Sequence, residues 1–280
     1  MFQYSLRIAQ RFAILIPGML IAYVSVRDIF PYFDNRLPLA LAILATYALG
    51  AYVLIPALIR VIRSIRPVKH VPLYCVTPDG FASDPLNIGI IGSRRQLIMA
   101  MEQAGWYVAE RHSLVPLIRQ ILSTIFSRSY DTAPVSSLYL FGRAQDIAFE
   151  LPLPGKPGNR HHVRFWATTY DQKQALSARS IRWHGRRQAA VSGENLVWVG
   201  AASLDTGFTL IRHNLQITHM IHPDTNQERS LIVKQLRATQ LVEAAQTIRL
   251  VKAYRLINRG WRAYFHTDGK MTIVKLQDKI

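Results

Sequence analysis

The pattern of apolar and polar positions divides the chain near residue 70. Leu37 to Ile59 reads LPLALAILATYALGAYVLIPALI, with no side chain charged at neutral pH. At about 1.5 Å per residue it spans the hydrocarbon thickness of a bilayer. A shorter apolar stretch, Phe12 to Val26, precedes it; it contains Pro17 and Gly18, can extend to Phe30, and has Arg11 placed to snorkel into the headgroups. Joined by a loop from Arg27 to Arg36, the two stretches predict a transmembrane helical hairpin. A cleaved signal peptide is the rival reading of the first stretch, since Arg7 and Arg11 precede it, but no small-x-small cleavage site follows.

Beyond residue 70 the apolar runs become short. Thr77 to Pro85 reads as a linker, and Asn87 to Ile91 as a strand. Ser93 with Gln96 forms a capping box opening a helix that ends at Gly105, with Leu97, Met101 and Ala104 on its inner face. Trp106 to Ala109 follows as a strand, and Ser113 caps a second helix running to about Phe126. Strand patterns recur at Leu138 to Phe141, Ile147 to Leu151, His161 to Thr169, Leu196 to Leu204, Phe208 to Arg212 and Gln216 to Ile221. Pro152 to Asn159 reads as a turn and Gln172 to Glu194 as an inserted excursion. Thr225 with Glu228 suggests another capping box, starting a helix through Ala238. The Asp268-Gly269 pair suits a type I′ turn of a closing hairpin between Ala263 to His266 and Met271 to Leu276. The expected fold class is α/β (α+β): a two-helix membrane hairpin over residues 1–70, then over 71–280 a mixed, largely antiparallel sheet with a few flanking helices.

Charge sharpens this picture. Arg60, Arg63, Arg66 and Lys69 follow the second stretch directly, Arg7 and Arg11 precede the first, and the connecting loop is balanced by Asp28 and Asp34. Because basic flanks stay on the cytoplasmic side, both termini are expected inside, with the chain multi-pass in a bacterial inner membrane. A formal net charge of +17 points to a negatively charged partner. The membrane tether favours anionic lipid headgroups over nucleic acid, with another membrane protein as the further candidate partner. The basic run Arg179, Arg182, Arg186 and Arg187 around Trp183 fits a lipid surface. A single cysteine, Cys75, excludes an intramolecular disulfide and any structural zinc site built on paired cysteines.

Alternation of side chains along a strand places His161 with Val163 and Phe165, and His162 with Arg164 and Trp166. In the same way His219 lies with Ile217 and Ile221, while His222 lies with Thr218 and Met220. If those two strands are neighbours, His161 and His219 converge with Asp205 at a strand end and Asp224 at a helix start. Imidazole and carboxylate together suit a divalent metal such as zinc, manganese or iron, with His222 as a further ligand, and can activate a water. The competing reading makes them core histidines bonded to backbone or to nearby acids, with Asp224 and Glu228 serving the helix N-terminus. Arg143, Arg160, Arg164 and Arg229 are candidate phosphate clamps, or else partners of Asp146, Glu150 and Glu228. No nucleophile elbow surrounds Ser136, Ser203 or Cys75, and Gly89 with Gly92 lacks the rest of a dinucleotide fingerprint.

Five blocks, GSRRQLIMAMEQAGW from Gly92, APVSSLYLFGRAQDIAFE from Ala133, RHHVRFW from Arg160, WVGAASLDTG from Trp198 and THMIHPDTNQER from Thr218, resemble the LssY C-terminal domain in the same order. The resemblance implies a domain of bacterial membrane proteins, often beside DedA-type or phosphatidic acid phosphatase-type membrane domains, with one namesake linked to type I secretion. It implies no defined reaction. Where the family tends to read T-H-x-I-D-P-D-x-D-x-E-R, this chain carries His222 and Asn226 in place of two aspartates, which weakens any metal site carried over. Two functions are therefore expected. One is a non-catalytic module that recognises anionic lipid or a partner membrane protein. The other is a membrane-bound hydrolase, metal-dependent in one form, acting on a phosphorylated lipid or envelope precursor.

Overall fold

A computed structural model of the chain describes residues 16–64, 71–78, 80–110, 135–153, 159–183, 196–210, 217–257 and 264–277, with the backbone alone at 60–64, 208, 210, 217–219 and 257. The expected helix from Ser113 to Phe126, most of the turn after Pro152, and the side chain of His219 lie outside that description. The chain divides into two compact units, Met1–Arg66 with Pro78–Gly80, and Pro67–Thr77 with Phe81–Ile280.

Among its described residues the first unit contains two helices. Helix α1 covers residues 16–34, and α2 runs through Leu39–Leu49, Gly50–Leu54 and Ile55–Ser64. Among the described residues one segment, Leu39–Ile59, is long and apolar enough to cross a membrane. Each helix widens to a π-helical turn, at Ser25–Ile29 and at Gly50–Leu54. The cause lies in the next residues. Pro31 and Pro56 have no N–H to give to the carbonyl four residues back, and their rings crowd it. The residue before each proline, Phe30 or Ile55, instead donates to a carbonyl five residues back, Ser25 or Gly50. Because Pro31 is absorbed in this way, α1 continues through Arg27 and Asp28, where a loop from Arg27 to Arg36 was expected. The chain reverses only at residues 35–38, where the Arg36 and Leu37 N–H groups donate to the Phe33 carbonyl.

The second unit is a mixed α and β fold. Its strands are β1 (Tyr74–Val76), β2 (Ala82–Pro85), β3 (Ile88–Ile91), β4 (Tyr107–Val108), β5 (Tyr139–Leu140), β6 (Arg143–Ala144), β7 (Ile147–Pro152), β8 (Arg160–Thr169), β9 (Leu196–Leu210), β10 (Ile217–Ile221), β11 (Val242–Arg249), β12 (Tyr254–Ile257), β13 (Tyr264–Thr267) and β14 (Lys270–Leu276). The main sheet has the order β11-β14-β3-β9-β8-β7-β4, with β10 also on β9; among the described strands of this sheet only β14 and β3 run parallel. Helices α3 (Arg94–Gln103) and α4 (Thr225–Ala238) cover one face. There Leu97, Met101, Ile232 and Leu236 pack on Phe165, Trp198 and Val274. The other face meets the small sheet β2-β1-β5-β6 and the segment after β8, with Cys75, Leu140, Ile181 and Trp183 against Trp166, Val199 and Ile273. Alternation along β8 and β9 supplies both faces from the same strands.

Several expectations change. Ala82–Pro85 within the expected linker is a strand, because its buried Asp84 has partners in the neighbouring sheet. The two strands expected between Leu196 and Arg212 form one long strand, β9, since the glycines at 200 and 207 do not break it. The first part of the expected excursion folds back onto the sheet, where Ile181 and Trp183 are buried. The ribbon partner of β13 is β12, while β14 pairs with β11 and β3. The Asp268-Gly269 turn thus hands the chain from a small ribbon into the main sheet. Gly269 has φ 71°, and a Cβ there would stand 2.3 Å from the Val251 carbonyl oxygen, so only glycine fits.

Candidate functional site

The capping box at Ser93 and Gln96 forms as the sequence indicates. At α4 the arrangement differs: Asp224, not Thr225, caps the helix and accepts from the Asn226 N–H. That frees Glu228, one turn in, to reach the sheet. Both of its oxygens lie 2.9 Å from Nδ1 of His161, which projects from β8 toward the helices. The Trp106 ring stands edge-on to this imidazole and donates its own N–H to Gln235 of α4.

On the opposite face of β8 the polar groups are denser. Glu150, His162 and Ser203 are cross-strand neighbours on β7, β8 and β9. Asp84 enters from β2, and its Oδ2 receives Arg164 at 2.8 Å and the Ser203 hydroxyl at 2.9 Å, with His162 Nε2 at 3.3 Å. His162 Nε2 is also 2.8 Å from Ser203 Oγ, and Nδ1 is 3.4 Å from Asp205. Arg164 Nε donates to the Ser136 carbonyl. At the strand end Arg160 pairs with Glu150 at 2.7 Å. All of Asp84, Glu150, His162, Arg164, Ser203 and Asp205 are buried. Burial alone raises the pKa of the Asp84 carboxyl, but the His162 hydrogen bond and the Arg164 charge outweigh it and hold it well below the usual carboxylate range. Burial, with the Asp84 charge beside it, pushes the Cys75 thiol well up, so this cysteine is a poor nucleophile.

The structure therefore distributes the candidate residues. His161 is with Glu228, Asp205 is with His162, and Asp224 caps α4 with His266 Nε2 3.5 Å away. His222 turns its Nδ1 to the Asp224 backbone N–H. Strand β10, which carries His219, does not adjoin β8. Asn87 N–H bonds the Gly200 carbonyl and His222 N–H bonds the Leu204 carbonyl, on the edge of β9 that faces away from β8. Strand β9 thus lies between them. Among the described residues no three His, Cys, Asp or Glu side chains are grouped as a metal ion requires. Each candidate phosphate clamp holds an internal carboxylate: Arg143 with Asp146, Arg160 with Glu150, Arg164 with Asp84, and Arg229 with both oxygens of Asp268.

Ser203, His162 and Asp205 have the order of a nucleophile, base and orienting acid. The hydroxyl has one hydrogen, however, and it is directed at Asp84, so the imidazole donates to Ser203 rather than accepting from it. Asp84 and His162 are the residues that sequence reasoning did not select. The available signal was the H-x-R-x-W alternation of His162, Arg164 and Trp166, which places a histidine and an arginine on one buried face.

Acid sensitivity follows. A carboxyl held low in the folded state contributes stability that is fully present above its unfolded value, about 3.9, and is lost as pH falls through the folded one. Asp84, Asp224 and Asp268 all have lowered pKa values. The urea midpoint of the full chain in neutral detergent is expected to be flat from pH 7 to 5 and to drop steeply below about pH 4. A midpoint unchanged down to pH 3 would contradict the Asp84 network.

A family model described as LssY C-terminus matches residues 68–271. No curated protein and no solved structure matches the chain.

Proposed function

Since the chain belongs to the LssY C-terminal family, we propose that it is a membrane-anchored, non-catalytic module whose basic domain recognises anionic lipid headgroups on the cytoplasmic face of the membrane carrying it. The observation that carries this reading is the internal use of the polar residues. Among the described side chains, His161, Asp205, Asp224 and the four candidate arginines sit in separate ion pairs within the fold. Each internal ion pair removes one charge of either sign, so the excess of +17 remains for an external partner. The anchor is a hairpin in which α1 crosses beside α2, and the run of arginines at positions 60, 63 and 66 of the sequence assigns that end to the cytoplasmic side.

The test uses the full chain in nanodiscs of phosphatidylcholine alone or with a third phosphatidylglycerol. Amide hydrogen exchange in the soluble unit is expected to slow in the anionic discs at 50 mM salt, and to return to the phosphatidylcholine rate at 500 mM, where screening is nearly complete. Identical exchange in both discs at low salt would remove the lipid reading.

One observation favours the second reading, a hydrolase. His161 has Nδ1 held by a buried carboxylate, the arrangement that leaves the other ring nitrogen oriented as a base. Hydrolysis of a phosphorylated lipid by the purified chain, abolished in His161→Ala and much reduced in Glu228→Gln, would decide for it.

A further inference from the structure

The charged pair Arg27 and Asp28 belongs to the first unit. Both sit in the π-helical turn of α1, and their side chains are 66% and 62% exposed. They lie seven and six residues before Asp34, where the helix ends, so at about 1.5 Å per residue they stand about 10 Å below the turn of the hairpin. On α2, which starts at Leu39, the same height falls near Thr46, inside the apolar segment Leu39–Ile59. A hairpin inserted over that segment holds both charges within the hydrocarbon layer, where exposed ionised groups are strongly disfavoured and mark functional contacts.

Within one chain the two charges form only a long, exposed ion pair with no hydrogen bond between them. Consecutive residues point about 100° apart around a helix and do not face one another. The closest approach, Arg27 Nε to Asp28 Oδ1, is 3.9 Å, beyond hydrogen-bonding distance. Arg27 reaches down to the Tyr23 hydroxyl at 2.6 Å, but no described donor hydrogen-bonds the Asp28 carboxylate.

We infer that α1 pairs with α1 of a second copy in the membrane, about a two-fold axis along the membrane normal, through reciprocal Arg27–Asp28 ion pairs. This rests on the reading of the hairpin as membrane-spanning. Two copies inserted the same way present equal residues at equal depth, so only neighbours in height can meet across such an axis. Arg27 and Asp28 differ by about 1.5 Å in height and carry opposite charge, so each symmetric contact neutralises both. Below them Ile16, Met19, Leu20, Tyr23 and Val26 are exposed at three- and four-residue spacings, a strip continuous with the charged pair.

The experiment is energy transfer between donor- and acceptor-tagged full-length chains, tagged at the C-terminus, in native bacterial membranes at graded expression. The wild type is expected to show transfer that saturates with expression. Arg27→Asp alone and Asp28→Arg alone, which set like charges together, are each expected to weaken association by about tenfold or more. Co-expressing the two single variants, one tagged with donor and the other with acceptor, restores opposite charges at both contacts, and transfer is expected to return to within about twofold of wild type. A monomeric wild type, single variants that associate normally, or a mixture that fails to complement would each overturn the pairing. Alkaline carbonate extraction of the same membranes separates the two readings. Release of the chain without detergent refutes the hairpin itself, whereas retention without transfer refutes only the pairing.

Discussion

Replacing Asp84 by alanine is expected to destabilise the second unit by about 3–5 kcal/mol, the range for removing one partner of a buried ion pair. The magnitude follows from what is left behind. Arg164 and His162, both buried, lose the carboxylate that accepts from them, and the Ser203 hydroxyl loses its acceptor. A guanidinium cannot escape by losing its proton, so the uncompensated charge stays in the interior or drags β8 toward water. Ser203→Ala, which leaves the Arg164–Asp84 pair intact, is expected to lose only about 1 kcal/mol. The five tryptophans of the chain all lie beyond residue 70, so their fluorescence reports on the second unit during denaturation of the full chain in detergent. A loss at Asp84 no larger than that at Ser203 would show that the network contributes little to the fold. If instead Ser203→Ala abolished an activity at unchanged stability, the hydroxyl would be a nucleophile and the non-catalytic reading would fall.

How far the sequence reveals this arrangement depends on whether the signal is local. The capping box at Ser93, the strand preceding it, the alternation of His161 and His162 across β8, and helix α4 were all legible, because each is set by neighbours within a turn or a strand. Strand β11 was not. Its sequence, VEAAQTIR, carries only a weak strand pattern, since it sits at the sheet edge with most side chains exposed and is held by pairing with β14. Strand β2 was hidden for a related reason. In ASDP a proline and an aspartate read as linker, and only the distant Arg164, His162 and Ser203 make a buried aspartate stable there. The same limit applies to the site. The faces of the candidate histidines followed from parity, but their partners depended on strand order, and β9 lies between β8 and the strand of His219. The length of α1 was missed because Arg27 and Asp28 read as a loop, whereas the π-turn before Pro31 lets the helix continue.

The second large effect is expected where the main sheet has no room for a side chain. Gly200 on β9 lies between Ile88 of β3 and Phe165 of β8. A Cβ built there would stand 2.6 Å from Phe165 Cε1 and 2.8 Å from Ile88 Cγ2, closer than carbon atoms approach. Phe165 and Ile88 are both fully buried against α3 and α4, so neither can swing aside into solvent. Gly200→Ala is therefore expected to destabilise by about 2–3 kcal/mol, and Gly200→Val by more, as overpacked cores do. The contact can be isolated by its partner. Phe165→Leu alone opens a cavity and is itself destabilising, but it removes the ring atoms that Cβ meets. In the double variant Gly200→Ala with Phe165→Leu the losses should sum to less than the two single losses by at least about 1 kcal/mol. Strict additivity would mean that Gly200 is required for some reason other than the close approach of β8. Coupling would instead tie the glycine to the spacing of β8 and β9, the same spacing that brings His162 to Ser203 on the opposite face.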